Sequence, residues 1–241
     1  GKPNRRKIIT RINGYHGVTL GASSMTAKPY NKEFGLPSEE FIHIECPHYW
    51  KYGLENETEE EFSLRMAKNL EEKIIKEDPE TIAGFVAEPV QGAGGCIPPS
   101  KSYFDLVQPI LKKYNIPFIA DEVICGFGRT GNLWGCDTYN IKPDIIISSK
   151  CLTAGYFPMG AVIVNKEFSD KFVEVSEEAE EFPHGFTAGG HPVGCAIALK
   201  AIDVIMNEGL LDNVKLMEPY FFERLNEFND YEHIGETRGI G

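Results

Sequence analysis

Apolar residues form two kinds of pattern along the chain, and the two kinds alternate. Short runs rich in isoleucine, valine and phenylalanine predict strands at 7–12, 81–87, 116–121, 144–149 and 160–165. Apolar residues at helical spacing predict a helix from Thr58 onward and further helices at 102–114, 192–206 and 211–228. Prolines and a glycine favour loops between 27 and 58. Strands that alternate with helices predict an α/β fold with a mostly parallel central sheet flanked by helices.

Three of the predicted helices have an apolar side that we expect to face the core. Those sides are Phe62, Met66, Leu70 and Ile74 in the first helix, Tyr103, Phe104, Val107, Ile110 and Leu111 in the second, and Leu216, Tyr220 and Leu225 in the last. The second helix lies between two predicted strands, so these three elements should form a βαβ unit.

Two of the predicted strands end in an ionisable residue. Asp121 ends the run at 116–121, and Lys150 follows the run at 144–149. Open α/β sheets bind ligands at the carboxyl ends of their strands, so both charges are expected in one crevice. An acid and an amine there suit an enzyme that uses pyridoxal 5'-phosphate (PLP), in which a lysine forms a Schiff base and a carboxylate keeps the pyridinium nitrogen protonated. A partly buried ion pair between Asp121 and Lys150 is the alternative interpretation.

Composition and charge limit the classes of partner. The chain has 241 residues, and 42% of them are hydrophobic, which is enough for a buried core. Its 36 acidic and 24 basic residues give a formal net charge of −12. Nucleic acids and anionic membranes are bound by clustered lysines and arginines, so neither is expected as a partner.

Cysteine usage and the N-terminal stretch indicate a cellular compartment. The six cysteines lack paired metal-ligand spacing, so we expect free thiols in a reducing environment and no metal site. No window approaches the roughly 20 apolar residues of a membrane span. In a signal peptide, an apolar region follows the charged residues. No such region follows the charges of the stretch GKPNRRK. We therefore expect a soluble, cytoplasmic protein.

Five segments, in this order, carry a resemblance to a known family. They are NGYHGVTLGA at 13–22, AEPVQGAGG at 87–95, ADEVICGFGRTG at 120–131, SSKCLTAGYFPMGAV at 148–162 and HGFTAGGHPVGCA at 184–196. Together they resemble the class III PLP-dependent aminotransferases of fold type I. The likeness is greatest to the branch that transfers amino groups from amines and ω-amino acids to pyruvate. It implies the large domain of a PLP transferase.

The resemblance implies a role for four residues near the cofactor ring. Lys150 would be both the Schiff-base residue and the group that moves the proton, and Asp121 would pair with the ring nitrogen. Tyr15 would stack on one face of the ring, where an electron-poor pyridinium favours an aromatic partner. Val123 would pack on the opposite face, since strand alternation places it on the same side as Asp121. A loop tyrosine and an ordinary core valine are the alternatives.

Three further residues receive implied roles. Glu88, after the strand at 81–87, would support Asp121, or anchor its own loop. His16 would be a neighbour of the cofactor, or a loop hydrogen-bonding group. Thr187 would bind the phosphate of the cofactor in the neighbouring subunit, which implies a homodimer with shared sites; as an alternative, it caps a helix or a loop.

The substrate class follows from a departure within one motif. Members of the family that act on GABA or ornithine often have a glutamate at position 93, whereas this chain has Ala93. We therefore expect transfer from an amine, ω-amino acid or taurine-like donor to a keto acid, with pyruvate favoured. Other fold-type I chemistry, such as an aminomutase or decarboxylase reaction, and an inactive dimerisation or binding domain are the alternatives.

The resemblance also predicts a domain boundary. Residues 1–208 should form the PLP-binding large domain without its N-terminal part, and 209–241 should begin a smaller C-terminal domain. The phosphate-cup segment and the C-terminal arginine of the family are expected outside these 241 residues.

Overall fold

Six strands form one sheet in the order β2-β1-β3-β4-β5-β6. The computed structural model describes residues 2–26, 28–182 and 184–241. The strands are β1 Lys7–Arg11, β2 Phe41–Ile44, β3 Ile82–Ala87, β4 Phe118–Asp121, β5 Ile145–Ser148 and β6 Ala161–Val164. All neighbouring strands are parallel except β5 and β6, which are antiparallel. The predicted α/β fold with a mostly parallel sheet is therefore confirmed.

Helices connect and flank the strands. The α-helices are α1 Leu20–Met25, α2 Tyr49–Tyr52, α3 Glu59–Glu77, α4 Tyr103–Lys113, α5 Gly135–Thr138, α6 Lys166–Ala179, α7 Pro192–Asn207 and α8 Leu210–Asn226. Short 3-10 helices lie at Pro29–Phe34, Pro79–Thr81, Lys150–Leu152 and Glu227–Asp230. In the described residues, no helix is long and apolar enough to cross a bilayer.

Helix α3 begins where its sequence predicts. The Thr58 hydroxyl accepts a hydrogen bond from the Glu61 N–H at 3.2 Å, and the Glu61 carboxylate accepts one from the Thr58 N–H at 2.8 Å. This reciprocal capping satisfies donors that a helix N-terminus leaves unpaired. The predicted apolar side, Phe62, Met66, Leu70 and Ile74, is buried against the sheet.

Helix α4 joins two neighbouring parallel strands, as the βαβ prediction requires. It follows β3 and leads to β4, and the register pairs Phe85 with Phe118. Its predicted apolar side is confirmed, since Tyr103, Phe104, Val107 and Leu111 are buried and Ile110 packs against the same core. This unit delivers the chain to Asp121, the last residue of β4.

Several elements were absent from the sequence predictions, among them β2, α6 and the short helices α1, α2 and α5. Strand β2 lies inside the region predicted as loops, where it pairs with β1 and buries Ile42. Helix α6 follows β6, and its first turn is capped by the Asn165 side chain, which accepts from the Phe168 N–H at 3.0 Å. A four-residue strand between prolines and an acidic, exposed helix both lack the longer apolar pattern that identifies their class.

The prediction of the buried side of α8 is wrong. Leu216 is 74% exposed and Tyr220 is also exposed. The helix instead contacts the rest of the chain near its start, where Leu211 packs against a small cluster around Phe127 and Leu152. Helical periodicity identifies an apolar face, but it cannot tell which part of the protein covers that face.

The segment 209–241 folds back onto the rest of the chain. The Arg238 guanidinium donates to the carbonyls of Gly95 at 2.7 Å and Cys96 at 3.1 Å. His48 lies 3.2 Å from the carboxylate of Glu236. The domain boundary at 208 stays a prediction.

All six cysteines are free thiols, as expected.

Candidate active site

Asp121 and Lys150 lie at the carboxyl ends of neighbouring parallel strands. Asp121 pairs with Ile147 in the register of β4 and β5, and Lys150 follows three residues later. Lys150 begins a 3-10 helix with φ of 45°, in the left-handed region that a non-glycine residue adopts only when its surroundings require it. The turn is fixed by the Ser149 hydroxyl, which donates to the Met159 carbonyl at 2.8 Å. The Lys150 side chain is thus presented at an exposed position beside the end of β4.

The Asp121 carboxylate has defined partners on both of its oxygens. Its side chain is 4% exposed, and Oδ2 lies 2.8 Å from Nδ1 of His16. Oδ1 accepts a hydrogen bond from the Val123 N–H at 3.1 Å. Among the described residues, the Asp121 carboxylate therefore contacts His16 and forms no ion pair with Lys150, so the alternative of a structural pair between Asp121 and Lys150 is wrong.

His16 is held from three directions in a buried position. Beyond its contact with Asp121, its Nε2 lies 3.0 Å from the hydroxyl of Thr10, which is on β1. Its backbone N–H donates to the hydroxyl of Thr26 at 2.8 Å. These bonds hold the imidazole against the end of β4, which the loop following β1 approaches.

Glu88 ties two loops together directly after β3. Its carboxylate accepts from the Tyr15 N–H at 3.1 Å and from the Gly92 N–H at 3.0 Å. Burial is the main cause that raises the pKa of Glu88, while the hydrogen bond from the Tyr15 N–H and the charge of Arg11 oppose the rise. The predicted supporting residue thus lies one hydrogen bond from the loop that carries Tyr15 and His16.

The remaining predicted site residues lie in loops. Tyr15 is half-buried beside His16, and Thr187 is exposed in the loop before α7. Val123 lies in the turn after β4 rather than on the strand. Strand alternation therefore does not determine the direction of its side chain, and the sequence argument for its position is wrong. The structure instead shows its backbone bonded to Asp121.

Glu122 is a buried acid that the sequence reasoning missed. It is fully buried, and its carboxylate accepts from the backbone N–H groups of Gly135 at 3.0 Å and Cys136 at 2.6 Å. Burial raises its pKa, and these hydrogen bonds oppose the rise. Glu122 thus connects the turns after β4 to the first residues of α5. A second acid directly after the last residue of a predicted strand was a visible signal, because acids are rarely buried at such a position without partners.

Arg11 is a second functional neighbour that the sequence reasoning missed. This guanidinium on β1 is buried and donates to the Glu88 carbonyl. Its centre lies 5.9 Å from the ring centroid of Tyr103 and 5.7 Å from that of Phe104. Contact with aromatic faces compensates part of the cost of burying the cation. The sequence around Arg11, which follows Ile8-Ile9-Thr10, gave no indication that its guanidinium would contact Glu88.

Comparison with known proteins places the chain among transaminases. The model of the family "Aminotransferase class-III" matches residues 1–241. A curated relative, gamma aminobutyrate transaminase 1, mitochondrial, from Solanum lycopersicum, is 52% identical over 100% of this chain and 47% of its own length.

Solved structures share the fold. The PMP-bound form of an aminotransferase from Vibrio fluvialis is 64% identical with a TM-score of 0.97, over 100% of this chain and 53% of that one. An omega-aminotransferase from Paracoccus denitrificans is 63% identical with a TM-score of 0.97, over 100% and 54%. The chain thus spans about half the length of the relatives it matches. With a family match over all of its residues, the chain belongs to the class-III aminotransferase family.

Proposed function

We propose that the protein containing this chain is a PLP-dependent aminotransferase. It moves an amino group from an amine, ω-amino acid or taurine-like donor to a keto acid, with pyruvate as the acceptor. The observation that carries the proposal is the pair at the strand ends, in which a buried Asp121 is the last residue of β4 and an exposed Lys150 follows β5. Class-III aminotransferases use PLP, and a solved relative from Vibrio fluvialis is described as PLP-bound.

The free hydrogen-bonding capacity of Asp121 fits a pyridinium partner. An ionised carboxylate accepts about four hydrogen bonds, and Asp121 has one partner on each oxygen among the described residues. A lone pair is therefore left for a ring N–H. A nearby anion favours the protonated form of such a ring. Bound in this way, the cofactor supplies an electron sink for charge that develops on the substrate.

Lys150 is the group that would hold the cofactor covalently and move the proton. Its amine stands at the open edge of the sheet rather than in an ion pair with Asp121. An amine freed from the cofactor when the substrate takes its place can take the proton from the substrate α-carbon and return it to the cofactor carbon C4′.

The loop residues would complete the binding of the ring. Glu88 fixes the backbone of Tyr15, which supports the stacking role of the tyrosine ring. Val123 would pack on the other face, while His16 holds Asp121. Thr187 is exposed in this chain, as a hydroxyl that serves the cofactor phosphate of a second subunit would be. We therefore propose a homodimer with shared sites.

Two observations support the choice of substrate class. Position 93 has an alanine, so no acid stands there. The omega-aminotransferase from Paracoccus denitrificans is 63% identical, compared with 52% for the tomato gamma aminobutyrate transaminase. The cytoplasmic location is likewise proposed from the sequence, and curated relatives carry both mitochondrial and chloroplastic names.

Borohydride labelling tests the lysine assignment. The full-length protein, purified with PLP, should show the absorbance of a protein-bound Schiff base. Reduction should fix the cofactor on the peptide that contains Lys150. A Lys150→Ala variant is the control and should lose the label. Label on a different lysine in the wild-type protein would refute the assignment.

Product analysis tests the reaction class. With an amine donor and pyruvate, the protein should form alanine and the matching carbonyl compound in equal amounts. Release of carbon dioxide, or a donor whose amino group moves within one molecule, would instead indicate a decarboxylase or an aminomutase.

A further inference from the structure

A buried threonine lies beyond His16, on the opposite edge of the imidazole ring from Asp121. The Thr10 hydroxyl oxygen is 3.0 Å from Nε2 of His16, while Nδ1 of the same ring is 2.8 Å from Oδ2 of Asp121. Thr10 is 0% exposed, and the side chain of His16 is 3% exposed. The three side chains therefore form a buried chain of hydrogen bonds that ends at the candidate catalytic acid.

The Thr10 hydroxyl determines whether Nε2 carries a proton. A hydroxyl has one hydrogen to donate. Among the described residues, His16 is the partner found for this hydroxyl, and burial excludes water. If Nε2 were protonated, it would donate to Thr10, and the hydroxyl hydrogen would be buried without an acceptor, which is unfavourable. If Nε2 is bare, the hydroxyl donates to it and both groups are satisfied.

Asp121 determines the protonation state of the other ring nitrogen, Nδ1. An ionised carboxylate only accepts hydrogen bonds, so Nδ1 must carry a proton to face Oδ2. His16 with a proton on Nδ1 and none on Nε2 is neutral. The His16–Asp121 pair then has a net charge of −1.

We propose that Thr10 is a positioning residue for Asp121. Its hydroxyl keeps His16 neutral, so the full negative charge of Asp121 is available to the ring nitrogen of the cofactor. This consequence rests on the proposed function. A doubly protonated His16 would cancel the charge of Asp121 and weaken its stabilisation of a pyridinium.

Charged groups lie around the His16–Asp121 pair. Glu88 accepts a hydrogen bond from the N–H of Tyr15, next to His16, and Arg11 donates to the Glu88 carbonyl. The Thr10 hydroxyl is the group in direct contact with Nε2 of His16, so its hydrogen-bonding direction distinguishes the two forms of the ring.

Neutron diffraction from crystals of the deuterated full-length protein with PLP gives a direct test. We expect deuterium on Nδ1 of His16, none on Nε2, and the Thr10 deuterium between Oγ1 and Nε2. Deuterium on Nε2 would overturn the inference. The nuclear density at His16 answers this question even if the protein fails to bind PLP, whereas the absence of bound PLP would count against the proposed function.

Matched variants test the consequence for the reaction. Thr10→Val has nearly the same shape and suits a strand, but it cannot donate. We expect kcat to fall about 2- to 10-fold, the value of one neutral hydrogen bond, with KM unchanged because Thr10 is buried away from substrate. Thr10→Ser keeps the hydroxyl and should restore kcat to within about twofold of wild type.

A second buried threonine is the control. The Thr130 hydroxyl lies 2.8 Å from that of Thr138 and outside the His16 network. Thr130→Val should therefore lower stability without changing kcat. Equal effects of Thr10→Val and Thr130→Val on kcat, or no recovery in Thr10→Ser, would show that Thr10 acts only as a packing residue and would overturn the proposal.

Discussion

The two halves of the sheet differ in how far the chain completes its own packing. In the first half, which contains β1 to β4 with α3 and α4, both helices bury one side against the strands. In the second half, which contains β5, β6 and α6 to α8, helix α7 buries Gly194, Ala198 and Ile205, but α6 and α8 have no buried residue among those that the structure describes. Val162 on β6 is 67% exposed and Phe186 in the following loop is 76% exposed.

The difference shows which part of the site is fixed by contacts within this chain and which part needs contacts from other segments or subunits. The acid side, with Asp121, His16 and Glu88, is fixed by hydrogen bonds inside the first half. The side that carries Lys150 and Thr187 borders apolar surface that this chain leaves open. Exposed apolar patches of this kind mark contacts with other chains or segments.

The largest effect should come from the acid side. Asp121→Asn removes the fixed charge opposite the ring nitrogen, so the half-reaction should slow by about 10²- to 10⁴-fold, or about 3–5 kcal/mol. Single-turnover absorbance of the cofactor measures the rate. Asp144→Asn is a matched control, since Asp144 lies at the opposite end of β5, where it accepts from the Phe118 N–H at 2.8 Å. A rate for Asp121→Asn within tenfold of wild type would contradict the role of Asp121.

Two phenylalanines compare the halves directly. Phe104→Ala, in the completed core, should lower the free energy of unfolding by about 3–5 kcal/mol. Phe186→Ala should change it by less than about 0.5 kcal/mol when the subunit is monomeric. Urea unfolding at several protein concentrations measures both. If Phe186 lies in a subunit interface, its variant should also weaken the dimer, and a large effect in the monomer would contradict the contrast between the halves.

Mixed subunits test whether Thr187 serves a second copy. Thr187→Val should cost about 1.5–3 kcal/mol of cofactor affinity, the value of a hydrogen bond to a charged phosphate. A Thr187→Val subunit mixed with a Lys150→Ala subunit should regain activity, because one of the two shared sites then carries neither change. The expected level is about half of wild type per heterodimer. Heterodimers that form without activity would contradict a shared site.

The smallest effect concerns an ion pair in the first half. Arg65 donates to both oxygens of Glu57 at 2.7 Å, and these hydrogen bonds lower the pKa of Glu57 to about 2. The folded value lies below that of the unfolded chain, so the contribution is present above the unfolded pKa of about 4.3 and is lost as pH falls towards 2. Acid unfolding should show wild type more stable than Glu57→Gln at pH 6 and equal to it near pH 2. A constant difference across this range would contradict the shift.

The sequence predicted most of the first half because its signals are local. Residues 58–77 and 102–114 place apolar side chains at helical spacing, and both helices formed with the expected buried sides. Asp121 and Lys150 were expected at the carboxyl ends of two strands, and the structure places Asp121 at the end of β4 and Lys150 just after the neighbouring strand β5. In α8 the same periodicity gave the wrong buried side, since Leu216 and Tyr220 are exposed.

The sequence by itself determined the class of fold, the two parallel strand ends and the family resemblance, because these depend on residues a few positions apart. Only the tertiary structure decided which groups meet. His16 contacts Asp121, which lies 105 positions away in the sequence. Thr10 on β1 contacts His16, and Glu88 after β3 accepts from the N–H of Tyr15, next to His16. Such contacts depend on the path of the whole chain through the sheet, and no local pattern of apolar and polar residues encodes that path.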